Sequence, residues 1–426
     1  MYLIIVKSVV ISRCNMFFWI KKNFQSLCQK DIYLDHASTT PIDLSVLSVM
    51  NDIMKNAYGN PGGMYPLAIK TKQIINGARR NVATLIGTTS DHIVFTRGGT
   101  ESNNIALLGL VEHFKKNNSN IVPHIITSTI EHDSILEICR HLENSKQAEV
   151  SYVPCDKDGV IDMTELKKAL RPTTILVTVM YANNEIGTIQ PIRDIAKLVR
   201  WYKKQLKENN TAVIDAIYPL VHTDAIQVVN YCDINTARLG VDMMTMSGSK
   251  IYGPKSVGVL FMKDKTLCDP IMFGGGQESG LRSGTEDSAV ISGFAKALEI
   301  SQDKKESETK RLTILRDECI SELLKDERVI LNGSQKDRLP NNINITVKGF
   351  SGESLVIQLA ACGFSVSSKS ACQSDSDEES HVIAALRTAQ GISSKSEEGS
   401  LRITLGRNTS KNDINKFINA LTKITK

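Results

Sequence analysis

Short apolar runs, each closed by turn-forming or polar residues, alternate along the first two thirds of the chain with stretches whose apolar positions keep a helical period. The runs predict strands at His92 to Thr96, His124 to Ser128, Thr174 to Met180, Thr211 to Ile217, Asp242 to Met246 and Val257 to Met262. Among the helical stretches are about 44–57 and 68–86, parted by the breaker Asn60-Pro61-Gly62-Gly63. This βαβ rhythm is that of an α/β fold, a mostly parallel sheet covered on both faces. Ligands of such sheets bind beyond the carboxyl ends of the strands.

After Ser288 the pattern changes. A charged helix with an apolar stripe is predicted from Ala289 to Lys325, then strands at Ile343 to Val347 and Ser365 to Ser367, a helix at Ser354 to Cys362 and a last helix from Lys411. These elements describe a smaller α+β domain. The expected division is a large domain over 45–288 and a small one built from 31–44 and 289–426. The runs Ser374 to Ser380 and Gln390 to Ser400 are polar and Ser-rich, which predicts mobile loops.

Composition adds little to this picture. The chain has 426 residues and a formal net charge of +5 spread over many charges of both signs, and its Lys and Arg residues form no long tract. That argues against a nucleic-acid partner and for a small-molecule substrate. Nine cysteines without paired spacing suggest neither a disulfide framework nor a metal site, and fit a reducing compartment. Residues 1–30 hold five Lys or Arg, no acid and two apolar patches too short to span a membrane. They read as a disordered or spurious extension, with a transit peptide as the alternative. The expected location is accordingly cytoplasmic, or an organelle matrix if the extension is a targeting signal.

Three strand ends carry candidate chemistry. Lys250 lies between two predicted strands, in Ser247-Gly248-Ser249-Lys250, where a desolvated amine would be nucleophilic enough for Schiff-base chemistry. A surface lysine in a hairpin turn gives the same local pattern. Asp224, after Val221-His222-Thr223, suits the buried carboxylate that holds the pyridine nitrogen of pyridoxal 5'-phosphate (PLP) protonated, or else a helix N-cap. Thr96-Arg97-Gly98-Gly99-Thr100 ends a strand and opens a helix. Gly99 allows close backbone approach and Thr100 adds a hydroxyl, so the turn can cradle a phosphate or simply join two elements.

In this order, and with Tyr33-Leu34-Asp35-His36-Ala37-Ser38-Thr39-Thr40-Pro41 before them and Leu401-Arg402-Ile403-Thr404-Leu405-Gly406-Arg407 after, these motifs resemble the cysteine desulfurases of the class V aminotransferase family, the branch that serves iron–sulfur cluster assembly. The resemblance implies a PLP-dependent transferase of fold type I, a homodimer acting on L-cysteine, and a sulfur-acceptor scaffold protein as partner. It implies that His132 stacks on the cofactor and assists proton transfer, and that Asn184 and Gln227 contact the cofactor's phenolic oxygen, Asn184 also the substrate. Without it, a lone histidine would be structural, as His36, His124 and His141 are read, and the two amides could equally be satisfied turn amides.

Ser247 and Ser249 offer hydroxyls to the phosphate, although relatives usually have histidine where this chain has Ser249. Thr285 corresponds to the residue that reaches the phosphate of the other subunit. Arg402 is placed to clamp the substrate carboxylate, since a guanidinium matches it in bidentate fashion. Cys372 sits among small polar residues, unlike Cys139 and Cys362 with their apolar neighbours, and so can ionise. The implied reaction binds L-cysteine in place of Lys250, moves protons through Lys250 and His132, and passes the substrate sulfur to the Cys372 thiolate, leaving alanine. The persulfide would serve cluster assembly or tRNA thiolation. A selenocysteine lyase, another class V aminotransferase, or a non-catalytic partner in a sulfur-transfer complex are the competing readings. No metal site is indicated. The acids Asp375, Asp377, Glu378 and Glu379 beyond Cys372 form a solvated run or steer a basic acceptor.

Overall fold

The computed structural model describes residues 31–209, 211, 213–368, 380–392 and 398–426. The extension 1–30, Cys372 and the acids Asp375, Asp377, Glu378 and Glu379 lie outside these residues. The first strand, β1 (Ile32–Tyr33), belongs to a small unit built mostly from the end of the chain. The next seven form the main sheet: β2 (Ile93–Thr96), β3 (His124–Ser128), β4 (Glu149–Val153), β5 (Thr174–Thr178), β6 (Leu220–Asp224), β7 (Met243–Ser247) and β8 (Gly258–Met262). They lie side by side in the order β2-β8-β7-β6-β5-β3-β4. Only β8 runs against its neighbours β2 and β7, so the sheet is mostly parallel.

Burial explains why these strands read as continuous apolar runs. All residues of β2, β3 and β5 to β8 are buried, as a sheet covered on both faces requires, whereas edge strand β4 is half open. Alternate side chains feed two cores: Val259 and Phe261 join one, Leu260 and Met262 the other. Helices Leu44–Asn56 and Pro66–Leu85 pack on the first core, the latter opened by Pro66 where a missing N–H costs nothing. Among the described residues no helix is long and apolar enough to cross a membrane.

One expected strand is misplaced. The described residues among 211–217 supply no strand, and the run begins instead at Leu220. Pro219 is the physical reason: without an N–H it cannot join the ladder of a central strand, so pairing with β5 starts after it. Strand β4 carries no run long enough to have been predicted.

The long helix Ser288–Leu323 links the two parts, placing Ala289 to Leu298 in the first core and Leu312 to Leu323 in a third. That third core lies under β9 (Val329–Leu331), β10 (Asn342–Val347) and β12 (Ser400–Thr404), an antiparallel sheet in the order β12-β10-β9. Strand β11 (Phe364–Ser365) pairs with β1 in parallel, and Asp35 bridges to Thr404. The segment 31–36 is thereby sewn into this unit, which brings its polar residues beside Arg402.

Candidate active site

Strands β6 and β7 are parallel neighbours, the last pair being Asp224 opposite Thr245, with Ser247 two residues further along β7. Asp224 is buried at the end of β6. Its Oδ2 accepts a hydrogen bond from Asn103 Nδ2 at 2.9 Å and its Oδ1 one from the Ile226 N–H at 3.0 Å. Burial pushes its pKa up, while these donors and the charge of Lys250 pull the other way. Asn103 Nδ2 also donates to Ser134 Oγ at 2.9 Å, and Ser134 touches His132 Nδ1 through both its hydroxyl at 2.9 Å and its N–H at 3.0 Å. A backbone N–H can only donate, so Nδ1 is an acceptor and the neutral imidazole carries its proton on Nε2. His132 is thus held as the N-cap of helix Asp133–Asn144.

Lys250 ends the turn after β7. It is half-buried rather than enclosed, and its Nζ donates to the Ser38 carbonyl. The turn is stapled by Thr40, whose N–H and hydroxyl donate to the Ser249 carbonyl at 2.9 and 3.0 Å. The Ser247 and Ser249 hydroxyls lie 3.2 Å apart. Across from them the chain leaves β2 through Gly98, with φ of 148°, into helix Gly99–Asn104. A Cβ on Gly99 would meet Ile226 Cδ1 at 2.1 Å, so the turn lies flush against the end of β6. Thr100 is exposed at its start.

Arg402, on β12, is buried at 2% exposure. Its Nη2 donates to Asp35 Oδ1 at 2.8 Å and Ser38 Oγ at 2.7 Å, and its Nη1 to the Asn184 carbonyl at 3.2 Å. Among the described residues its buried Nε has no partner, which is unusual for a donor removed from water and leaves capacity for an anion. Gln227 Nε2 donates to the Ala37 carbonyl at 3.1 Å.

These contacts link Lys250, Asp224, His132, Asn184, Gln227, Ser247, Ser249, Gly99 and Arg402 into one neighbourhood. Thr285 is not among them: it is exposed, beside Arg97, Ser256 and Arg282. His36, His124 and His222 are buried structural residues, His124 and His222 each bonded to threonine hydroxyls. Cys139 is buried, with its thiol pushed up to about 12 by burial, but Cys362 is exposed, because Ala361 and Gly363 flank it at a helix end rather than in a core. Sequence reasoning missed Asn103, Ser134, Asp35 and Ser38, which orient the site, and the buried Glu131. Burial pushes the Glu131 carboxyl up to about 8, although Ser128 Oγ donates to it at 2.5 Å and the Met180 N–H at 3.0 Å. Asn103 and Ser38 stand inside motifs whose neighbours were singled out, which is the signal that could have found them.

These residues suit PLP. The direct partners of Asp224 are an amide side chain and a backbone N–H, so the carboxylate retains capacity for a cationic ring N–H, and the hydroxyl pair with the glycine turn suits a phosphate.

Comparisons with known proteins identify the family. The family model of class-V aminotransferases matches residues 32–417. Over 397 residues the chain is 41% identical to cysteine desulfurase IscS of Dictyoglomus turgidum, covering 93% of this chain and 95% of the other. It is 39% identical over 395 residues to cysteine desulfurase IscS of Methanosarcina thermophila, covering 93% and 92%. Among solved structures a NifS-like protein matches with a TM-score of 0.81 at 31% identity over 92% of this chain and 99% of its own. SspA in complex with cysteine matches with a TM-score of 0.71 at 30% identity, over 88% and 98%. The chain belongs to the class-V aminotransferases and, among them, to the cysteine desulfurases.

Proposed function

We propose that this protein takes sulfur from L-cysteine with PLP as cofactor, leaving alanine and a persulfide on Cys372. One observation carries the reading: Ser38 receives Lys250 Nζ on its carbonyl and Arg402 Nη2 on its hydroxyl. An amine nucleophile and a guanidinium one residue apart fit the two ends of an α-amino acid. Bound PLP supplies the electron sink. Asp224 holds the positive charge of the ring nitrogen, the glycine turn with Thr100, Ser247 and Ser249 takes the phosphate, and His132 Nε2–H and Lys250 Nζ are the proton carriers. Asn184 and Gln227 line the cofactor and substrate side. Arg402 takes the substrate carboxylate on Nε and Nη2, in competition with Asp35. The Cys372 thiolate forms an S–S bond as the substrate Cβ–S bond breaks, and a proton completes alanine.

Thr285 serves the partner's site in a homodimer, and the persulfide passes to a scaffold protein for cluster assembly or tRNA thiolation. The cofactor-bearing domain spans 45–288, with 31–44 and 289–426 forming the second. The protein works in the cytoplasm, or in an organelle matrix if residues 1–30 direct it there; one relative, 37% identical, is a mitochondrial cysteine desulfurase of Arthroderma benhamiae. The test is release of sulfide and alanine from L-cysteine with added PLP and reductant. Equal amounts from the wild type and none from Cys372→Ala support the reading. No alanine from the cofactor-loaded wild type overturns it and points to selenocysteine or an amino-group acceptor.

A further inference from the structure

Helix His381–Ala389 follows Cys372 in sequence and docks on the two segments that carry His132 and Asn184. Val382, Ile383 and Leu386 form a small apolar cluster with Ile130, Cys155 and Ile186, apart from the three larger cores. Ile130 leads into Glu131 and His132, and Ile186 follows Asn184 and Glu185. The contact is therefore made two residues from each site residue.

Two hydrogen bonds at the start of the helix set its register. Ser380 caps the helix, its hydroxyl accepting from the Val382 N–H at 3.2 Å, and it donates to Glu185 Oε2 at 2.5 Å. His381 Nε2 donates to the Glu131 carbonyl at 2.8 Å. Ser380 and Glu185 are both buried. The anchors themselves are fixed. The Glu185 carbonyl accepts from the side chains of Asn342 and Asn344, each at 3.1 Å, and the Glu131 carboxylate is held by Ser128 and Met180. Capping alone needs no bond to Glu185, and helix formation needs none to Glu131.

We propose that Ser380 and His381 are positioning residues for sulfur transfer: eight and nine residues after Cys372 in sequence, they fix the chain to the segments that bear His132 and Asn184. The inference rests on the desulfurase reading. A tethered thiolate reacts with bound substrate at a rate set by its effective concentration, which depends on where the tether is fixed. Binding of L-cysteine is assigned to Arg402, Lys250 and Asn184, whereas His381 bonds to the Glu131 segment, so the His381 variants report on sulfur transfer with the least effect on substrate binding.

The test uses the full-length, cofactor-loaded protein with Ser380→Ala, His381→Phe and His381→Gln, the last retaining an N–H donor. Single-turnover persulfide formation on Cys372, read by mass spectrometry, is expected to fall about tenfold in His381→Phe while the KM for L-cysteine stays within about twofold. His381→Gln restores the rate to within about threefold of wild type. An unchanged persulfide rate in His381→Phe, or a KM that rises in step with the loss, overturns the proposal. Trapping of Cys372 with a maleimide in the resting protein gives a readout without turnover, and Ser380→Ala should change its rate by about threefold or more. An unchanged trapping rate overturns the proposal. A wild type that forms no persulfide removes the desulfurase reading instead, and the trapping rate then decides the clamp alone.

Discussion

Asn103 Nδ2 lies 2.9 Å from Asp224 Oδ2 and joins the strand-end carboxylate, through Ser134, to His132. Three elements that meet nowhere in sequence are tied by one amide: the helix after the glycine turn, β6 and the N-terminus of helix Asp133–Asn144. The bond favours the ionised form of Asp224, so removing it raises that residue's pKa. In Asn103→Ala the acid limb of the kcat/KM profile should therefore move to higher pH. An unmoved limb would show that Asn103 does not tune Asp224.

Arg402 offers a fork where lysine offers a point charge. Arg402→Lys is expected to raise the KM for L-cysteine by about tenfold to a hundredfold, the value of one or two charge-assisted bonds. The carboxylate contact exists in ground and transition states alike, so kcat should change less than KM. Steady-state kinetics decide, and a loss confined to kcat would sink the carboxylate clamp.

The turn that carries Lys250 has no room for a side chain at Gly248. A Cβ there would meet the Pro254 carbonyl oxygen at 2.6 Å and Val257 Cγ1 at 2.7 Å. The backbone oxygen cannot swing away as a side chain would. Gly248→Ala should therefore cost about 1–3 kcal/mol in urea unfolding and weaken PLP binding, read by absorbance titration. Retained stability and affinity would show that the turn shifts freely.

Buried histidines make stability depend on acid. Burial holds His36 down to about 4 and His124 and His222 down to about 3, against an ordinary value near 6.5. The unfolded chain binds protons at these sites first, so their contribution is present above pH 6.5 and is lost as pH falls towards 4 and then 3. His36 alone accounts for about 3 kcal/mol across its window. Urea unfolding at pH 7 and pH 4.5 should show the loss, and His222→Gln should make the dependence shallower by up to about one proton. A slope unchanged in that variant would contradict the burial argument.

Most strands of the main sheet and most helices were legible because their burial is written as apolar periodicity. Helix Pro66–Leu85 announces itself by period, Asp224 and Lys250 by following such runs. What escaped depends on contacts distant in sequence. Nothing local in Asp35 or Ser38 says that they will meet Arg402 from the far end of the chain; that follows from β1 pairing with β11 and Asp35 bridging to Thr404. Strand β12 was hidden for the same reason, its polar Ser400 and Arg402 being buried only because β10 and Asp35 satisfy them. Residues 211–217 show the opposite error, an apolar run that Pro219 keeps out of the sheet.

Tyr252, two residues beyond Lys250, has φ of 61°, a left-handed conformation that costs a side chain of this size about 1–2 kcal/mol. The surroundings hold it there. Its N–H donates to Thr40 Oγ1 at 2.8 Å, its carbonyl accepts from the Asp43 N–H at 2.9 Å, and its hydroxyl accepts from the Arg407 N–H at 2.8 Å. The Arg407 guanidinium lies 3.9 Å from the ring centroid, and Asp43 pairs with it at 3.2 Å. Backbone and ring contributions can be separated by two substitutions. Tyr252→Ala loses the ring and keeps the strain, whereas Tyr252→Gly loses the ring and removes the strain. Both should destabilise the protein, with glycine better than alanine by about 1 kcal/mol in urea unfolding. If alanine equals glycine, the left-handed turn relaxes once the ring is gone, and the ring with its Arg407 contacts is what forces the conformation beside Lys250.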